Sequence, residues 1–552
     1  LRWVAYGYRF GEVPLPEIGP IHPSVRIGKH RVLETTRRPL VYASLGCHTN
    51  GMLMPHPCPN DALTFEAAVR KRFATDPPKA DKALRERFRA WVIAKVCKEF
   101  KPLAPDTDVS FETWLSGTNY SEGRKNDLRV VRDGFLNGTR DRTRWIYRVK
   151  QFMKDEPYPE YKHPRPINSR SDTFKCEIGR FFKVIEKELY KHPFFIKNVP
   201  VADRPAFISA KFRPGKVMES DWKACEAMFT RDLMYDCEFI LYCFLTRDLP
   251  EFKYFAFLLD AVIAGDNEIV SKYFISWCEA KRMSGEMNTS AGNGVSNWFV
   301  NEFMMTEVKK MTDFEGTGEG DDGLFQANGE YPTAADYKAL GVNVELIVHD
   351  DLASASFCGI IFDPIDNINV TDPREVLAQF GWTSRQYAQA KSSKLRGLLR
   401  CKALSYAHQY PGCPIIDSLA QYGLRVTRDS GQCAKDLVHK QKNMNLWYKE
   451  QMLAAFKDEK KIASRKPGLA TRFLVEKKFG LTVAQQLIIE RYLDSLTSIQ
   501  PLEVLPILGD SIPPSWTHYW DNYVQLVHIR RRDVEKIGLE WPTLSGFKPN
   551  FP

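Results

Sequence analysis

The sequence predicts an α+β fold, on three observations. From 212 to about 362, short strand-like runs alternate with helical ones. From about 375 onward helical patterns dominate, in DPREVLAQF, SSKLRGLLRCKALSYAHQY, LWYKEQMLAAF and TVAQQLIIERYLDSL. Before 212, stretches broken by Pro and Gly, such as 47–59, mix with charged helical ones. The chain thus reads as a mixed N-terminal half, a compact α+β centre and a helical C-terminal part, a division its 552 residues can supply.

In chain order, residues 65–103 read as a charged helical segment with Phe88, Trp91, Val92 and Val96 near helical spacing. Between Arg124 and Arg170 stand 13 Lys and Arg against 6 Asp and Glu, so +7 of the chain's net +10 falls here and points to a polyanionic partner. Pro157, Pro159, Pro164 and Pro166 favour extended loops within it. Residues 174–189 read as a helix. Ser284 to Gly294 is a run of small and polar residues, expected as a flexible loop. A helix should begin near Gly292–Val295, with Val295, Phe299 and Phe303 as its buried stripe and Lys309 and Lys310 at its end. The twelve cysteines show no CxxC pair, which argues against a zinc site or disulfide framework and for a reducing compartment. There is neither a signal peptide nor an apolar run of about 18 residues. Because the first residue is Leu1, the expectation is a piece of a longer product whose missing N-terminal part carries a membrane anchor.

The sharpest local signal is GEGDDGLF, 318–325, which reads as a hairpin turn leading into a buried strand. Gly320 and Gly323 permit backbone angles closed to other residues, so Asp321 and Asp322 can sit at a sharply bent tip. A second acidic site lies in KVMESDWKACEAMF, 216–229, with Asp221 at a strand's end and Glu226 about one turn further on. Two-metal nucleotidyl transfer needs carboxylates from separate strands meeting across a gap of about 3.5–4 Å between ions. Magnesium prefers such oxygen ligands.

An acidic strand end, then Ser284-Gly285, Thr289 and Asn293 in the pattern SG-x3-T-x3-N, then GDD, resembles the palm of viral RNA-dependent RNA polymerases of positive-strand RNA viruses. The likeness is to the tombusvirus-like and nodavirus-like group and runs from about Tyr120 to Gly359. It implies a right hand of fingers, palm and thumb closed by fingertips: an N-terminal extension and fingers at 1–213, palm at 214–232 and 281–370, a fingers insertion at 233–280, and thumb with a C-terminal segment at 371–552. The activity implied is RNA synthesis from ribonucleoside triphosphates on an RNA template, with two Mg²⁺ ions (Mn²⁺ as a substitute) on Asp221, Asp321 and Asp322. A reverse transcriptase-like polymerase and a non-catalytic RNA-binding replication protein are the alternatives.

By the same resemblance, Thr289 and Asn293 select ribose, and the loop of Ser284 and Gly285 accommodates the templating nucleotide and product movement. Lys150, Lys154 and Arg165 receive the incoming triphosphate, with Glu156 holding one of them by an ion pair. Gly123, Arg124 and Lys125, in YSEGRK, guide the template. Phe357 and Cys358, in SFCG, grip the primer strand, and Arg396, Arg400 and Lys402 track the nascent duplex. Two departures from the family stand out. Glu226 occupies the place of an aspartate that recognises ribose, and VNVELIVHDDLASASFCG lacks the usual lysine, which leaves His349 as the candidate proton donor. Trp516, Trp520 and Tyr523 read either as an initiation platform or as thumb core. The resemblance further implies a membrane-anchoring replication protein or N-terminal region as partner, a homo-oligomer, and membrane-associated replication complexes in the host cytoplasm.

Overall fold

The computed structural model describes residues 4–5, 8–9, 18–31, 42–57, 61–118, 120–139, 146–387, 389–440, 452–457, 459, 462 and 464–523. It is a mixture of helices and several small sheets. The N-terminal half contributes β1 (Arg26–Ile27), α1 (Ala62–Arg72), α2 (Lys82–Glu99), α3 (Glu122–Leu136), β2 (Arg148–Met153), β3 (Pro166–Arg170) and α4 (Asp172–Leu189). The helical segment expected over 65–103 is two helices. Pro77 and Pro78 cannot donate to a continuous ladder, and the Asp81 carboxylate caps the second helix through the Leu84 amide at 2.7 Å. On α4 the expected periodicity holds. Phe174, Ile178, Phe181, Phe182, Ile185 and Leu189 are buried, and Ser171 caps the start.

The centre supplies β4 (Val217–Trp222), α5 (Glu238–Thr246), β5 (Asp266–Val270), β6 (Ile275–Glu279), α6 (Thr289–Glu302), β7 (Thr312–Glu319), β8 (Asp322–Asn328) and β9 (Val344–His349). Two sheets matter for the site. One has the order β7-β8-β4-β9 with every neighbour antiparallel. The other has the order β1-β6-β5-β2-β3, in which β2 and β5 alone run parallel. Helix α6 starts at Thr289, earlier than the expected Gly292–Val295. It is buried on all sides from Ala291 to Asn301 and not only along the Val295–Phe299 stripe.

Along β4, side chains alternate. Met218, Ser220 and Trp222 turn toward α6, where Met218 and Trp222 share a core with Val295, Phe299 and Phe325. Val217, Glu219 and Asp221 take the other face. There Val217 and Leu324 are covered by a second core that includes Phe357, Ile360 and the C-terminal helices. The cover stops before the strand does, and Asp221 is exposed. One face is thus core at its start and open at its end, which is how a carboxylate can stand on a buried strand without being desolvated outright.

Beyond the centre follow β10 (Ser356–Phe357), β11 (Ile360–Asp363), β12 (Ile368–Val370), α7 (Pro373–Phe380), α8 (Ser392–Gln409), α9 (Ile416–Val426), α10 (Leu469–Phe479), α11 (Val483–Ser495) and α12 (Pro514–Tyr523). Most of LWYKEQMLAAF and the side chain of Tyr523 lie outside the described residues. Trp516 and Trp520 are buried: the Trp516 indole donates to Pro159 O at 2.8 Å, and Trp520 stacks on His48. Of their two readings, core is the one found. Among the described residues no helix is long and apolar enough to cross a membrane.

The cations of α8 are corrected here. Lys402 is not turned to a duplex. Its ammonium donates to Gln379 O at 2.6 Å, Phe380 O at 3.3 Å and Trp382 O at 2.6 Å, closing the end of α7. Burial pushes its pKa down to about 8. Arg400 donates to Leu424 O and Thr427 O and pairs with Glu459, while Arg396 holds Val426 O and Asp429 at the end of α9. Lys402→Met should therefore cost about 2–4 kcal/mol in urea unfolding, since buried carbonyls lose a charged donor. Were Lys402 among the duplex-tracking cations that the resemblance implies, the same change would flatten the salt dependence of RNA binding; an unchanged slope is expected.

Candidate active site

The tip joining β7 to β8 has two residues, with Glu319 paired to Asp322 across it. Gly320 takes φ +64° at the first turn position, as a type II′ hairpin requires. Gly323 is a glycine for a different reason from the one expected. A Cβ there would lie 2.5 Å from the Phe325 ring and 2.7 Å from Asn297 Nδ2. Close approach, not backbone angle, excludes a side chain.

Asn297 of α6 locks the tip. Its Nδ2 donates to Asp321 O at 3.0 Å, and its Oδ1 accepts from Ser220, Trp222 and Asn301. Because Gly323 pairs with Ser220, the register carries Asp322 to the level of Asp221 on the adjoining strand. Asp221 itself pairs with Glu345 of β9. The carboxylates at 221 and 321–322 therefore meet at one end of one sheet.

Their electrostatics agree with that placement. Partial loss of water around the strand end, then the Asp321 and Glu345 charges, raise the Asp221 pKa, against the pull of Lys162 and Arg72. Asp322 is pushed up to about 7 by burial and next by Asp321 and Asp221. Among the described residues no Lys, Arg or His forms an ion pair with any of the three. Clustered carboxylates left without a basic partner fit a divalent cation. No three His, Cys, Asp or Glu among the described residues form a cage on their own. Magnesium does not need one, since it is usually held by one or two carboxylates and substrate phosphates.

A pH prediction follows for Asp322. Its folded pKa lies above the unfolded value of about 3.9, so the folded state holds an extra proton between about pH 4 and 7. The stability this gives is present below pH 4 and lost as pH rises through 7. In chelator at pH 7.5, Asp322→Asn should melt above wild type by about 1–2 °C, and Mg²⁺ should close the gap by raising wild type. Equal melting points in chelator would remove the repulsion.

The link between β2 and β3 forms the cationic wall. Glu156 binds both neighbours, Lys154 at 2.8 Å and Arg165 at 2.6 Å, where one ion pair was expected. Burial raises the Glu156 pKa, but the bonds from Arg165 and Lys154 outweigh it and hold the carboxylate charged. Lys150 is exposed on β2 and has no ion pair among the described residues. Arg72 was missed. It ends α1, donates to His163 O at 2.6 Å, and its charge is felt at Asp221 and Glu226. Lys162, also missed, acts on Asp221. The only hint was the RKR run at 70–72, which resembles any solvated helix end.

The segment 284–285 is not a free loop. Ser284 Oγ accepts from the Asn168 amide at 2.9 Å, and Gly285 N donates to Asn168 O at 2.7 Å, docking the loop on β3. A Cβ on Gly285 would meet Asn168 O at 2.7 Å. Thr289 Oγ1 donates to Met283 O and Glu286 O and accepts from Glu286 N, so its hydroxyl holds the loop together. Asn293 Oδ1 accepts from Arg282 Nε at 3.0 Å. Arg282, Glu238, Glu286 and Arg170 form a buried charged quartet that the sequence did not announce.

The proton donor expected at the carboxylates is not brought to them, and the template and primer segments differ from their expected form. His349 pairs with Val217, at the opposite end of β4 from Asp221, and bonds Glu219 at 2.9 Å. Glu345 stands where His349 was expected. YSEGRK is no guiding loop but the start of α3, where Arg124 is clamped by both oxygens of Asp172 and Lys125 pairs with Glu122. Gly123 is exposed there with open space around it. The Phe357 ring is core, which leaves it unavailable to a primer strand. Cys358, at φ +53°, brings its thiol onto the Asp322 carboxylate.

No family model matches the chain, and no curated protein matches it.

Proposed function

We propose that this chain is an RNA-directed RNA polymerase that copies a viral RNA genome from ribonucleoside triphosphates. One observation carries the reading: Asp221 and the Asp321–Asp322 tip, about a hundred residues apart in sequence, share the end of one sheet with no ion pair to a Lys, Arg or His among the described residues. In this reading 214–232 and 281–370 form the palm, the N-terminal half the fingers, and the helices after 371 the thumb.

Lys150, Lys154 and Arg165 take the triphosphate, with Arg72 and Lys162 adding positive charge from the same side. Glu156 holds two of these cations in place, so little side-chain entropy is lost when phosphate arrives. Asn297 keeps the acidic tip from moving as charge builds up. Two Mg²⁺ ions on Asp221 and Asp321, with Asp322 beside them, would activate the attacking 3′-hydroxyl and neutralise the leaving pyrophosphate. No proton-donor role is given to His349. Membrane attachment, on this reading, comes from another segment or a partner replication protein.

The test is RNA synthesis by purified protein on an unprimed RNA template with Mg²⁺ or Mn²⁺. Template-length RNA is expected. Preference for deoxyribonucleotides would replace the reading with reverse transcription, and RNA binding without synthesis under either ion would leave a non-catalytic binder.

A further inference from the structure

We propose that the turn at 364–367 and the outer side of α10 form a contact surface for an anionic membrane, which they touch without crossing.

The turn joins β11 to β12 and carries Ile365, 78% exposed. That exposure is held in place, because the turn is fixed from both sides. The Asp363 carboxylate accepts from the Ile365 amide at 2.8 Å and the Asp366 amide at 3.3 Å. The Asp366 carboxylate accepts from the Thr471 amide at 3.1 Å, in the first turn of α10, and Asp366 O accepts from Arg465 at 2.9 Å. A Cβ on Gly468 would lie 2.0 Å from Asp366 Oδ2, so the start of α10 is seated directly on the turn. Leu469 comes next. Leu469, Phe473 and Lys477 recur at i, i+4 and i+8 along the outer side of α10, while Thr471, Leu474 and Val475 are buried on its inner side. Leu469 is 64% and Phe473 56% exposed. Three large apolar side chains thus stand in water on two elements bonded to each other.

Charge and backbone chemistry choose the occupant. From Arg465 to Arg491 six Lys and Arg stand against two Asp and Glu, and Arg472 with Glu490 form a buried pair that cancels. Lys466 is exposed with no ion pair among the described residues, and Lys477, also exposed, lies 3.9 Å from Asp351. An apolar centre rimmed by cations matches the boundary between anionic headgroups and acyl chains. Two copies of this surface laid face to face would instead set cation against cation. RNA offers phosphates to the rim but gives Ile365 nothing in which to bury itself. The backbone fits the same occupant. An unpaired amide is costly in lipid, yet the Ile365 and Asp366 amides are already bonded to Asp363, so the tip can enter the interface without losing a hydrogen bond.

The test is flotation of the full chain with phosphatidylcholine vesicles, with and without phosphatidylserine. Wild type should float with the phosphatidylserine vesicles, and less so as salt rises. Ile365→Ser combined with Phe473→Ser should weaken that binding by about tenfold or more, since two apolar anchors are lost. Lys466→Gln should weaken it by about fivefold, the worth of one cation at an anionic surface. These side chains are exposed, so melting should stay at the wild-type value; should the double variant melt early, Lys466→Gln and Leu469→Ser carry the test. A wild type that does not float, or apolar variants that float as well as wild type, overturn the proposal. If flotation holds while the double variant loses self-association or RNA affinity, the surface belongs to a second copy or to RNA, and the proposal falls.

Discussion

Asp321→Asn should lower nucleotide incorporation by about 1,000-fold or more, the scale on which removal of one group stabilising transition-state charge is felt. The change keeps size and shape, and the backbone bond from Asn297 to residue 321 does not involve the altered side chain. Folding should therefore be preserved. RNA affinity should be unchanged or tighter, since a negative charge leaves the path of a polyanion. Single-turnover extension read beside anisotropy with labelled RNA separates the two effects. Undiminished synthesis would take Asp321 out of the site.

Glu238→Ala should destabilise the protein by about 3–5 kcal/mol, because it strands the fully buried Arg282 charge. Tyr242 and Asn288 also lose a partner, as both donate to the same carboxylate. Removing both charges together, in Glu238→Leu with Arg282→Met, should recover much of the loss, because the cost lies in the unpaired ion more than in the missing bond. Urea midpoints for Glu238→Leu, Arg282→Met and the double variant that combines them measure this. Additive losses would show that Glu238 and Arg282 are not coupled.

Parts of this architecture were legible because local chemistry dictates them. The spacing of Phe174, Ile178, Phe181 and Ile185 can make only one buried helical face. Gly320 before two aspartates and an apolar run specifies a tight hairpin wherever it occurs. That Asp221 joins Asp321 followed from the order of motifs and not from their spacing, since strand pairing over such a distance leaves no periodic trace.

Other parts had no local signature. A lysine capping buried carbonyls, as Lys402 does, is written like one facing water. His349 and Glu345 share a face of β9, yet four residues separate them by about 13 Å, and only the register with β4 reveals which one meets Asp221. Arg72 reaches the acidic groups through tertiary placement of α1, which nothing near residue 72 encodes. The quartet of Arg170, Glu238, Arg282 and Glu286 looked like ordinary surface charge because its burial comes from elements scattered over more than a hundred residues.

The bond from the Trp516 indole to Pro159 O links positions 357 residues apart, and the second of them lies in the loop that carries Lys154 and Arg165. During synthesis on a ribosome, that loop must wait for 357 further residues to emerge before its clasp exists. The loop of Lys154 and Arg165 thus leaves the ribosome long before its latch, and the growing polypeptide carries it unfastened until Trp516 arrives.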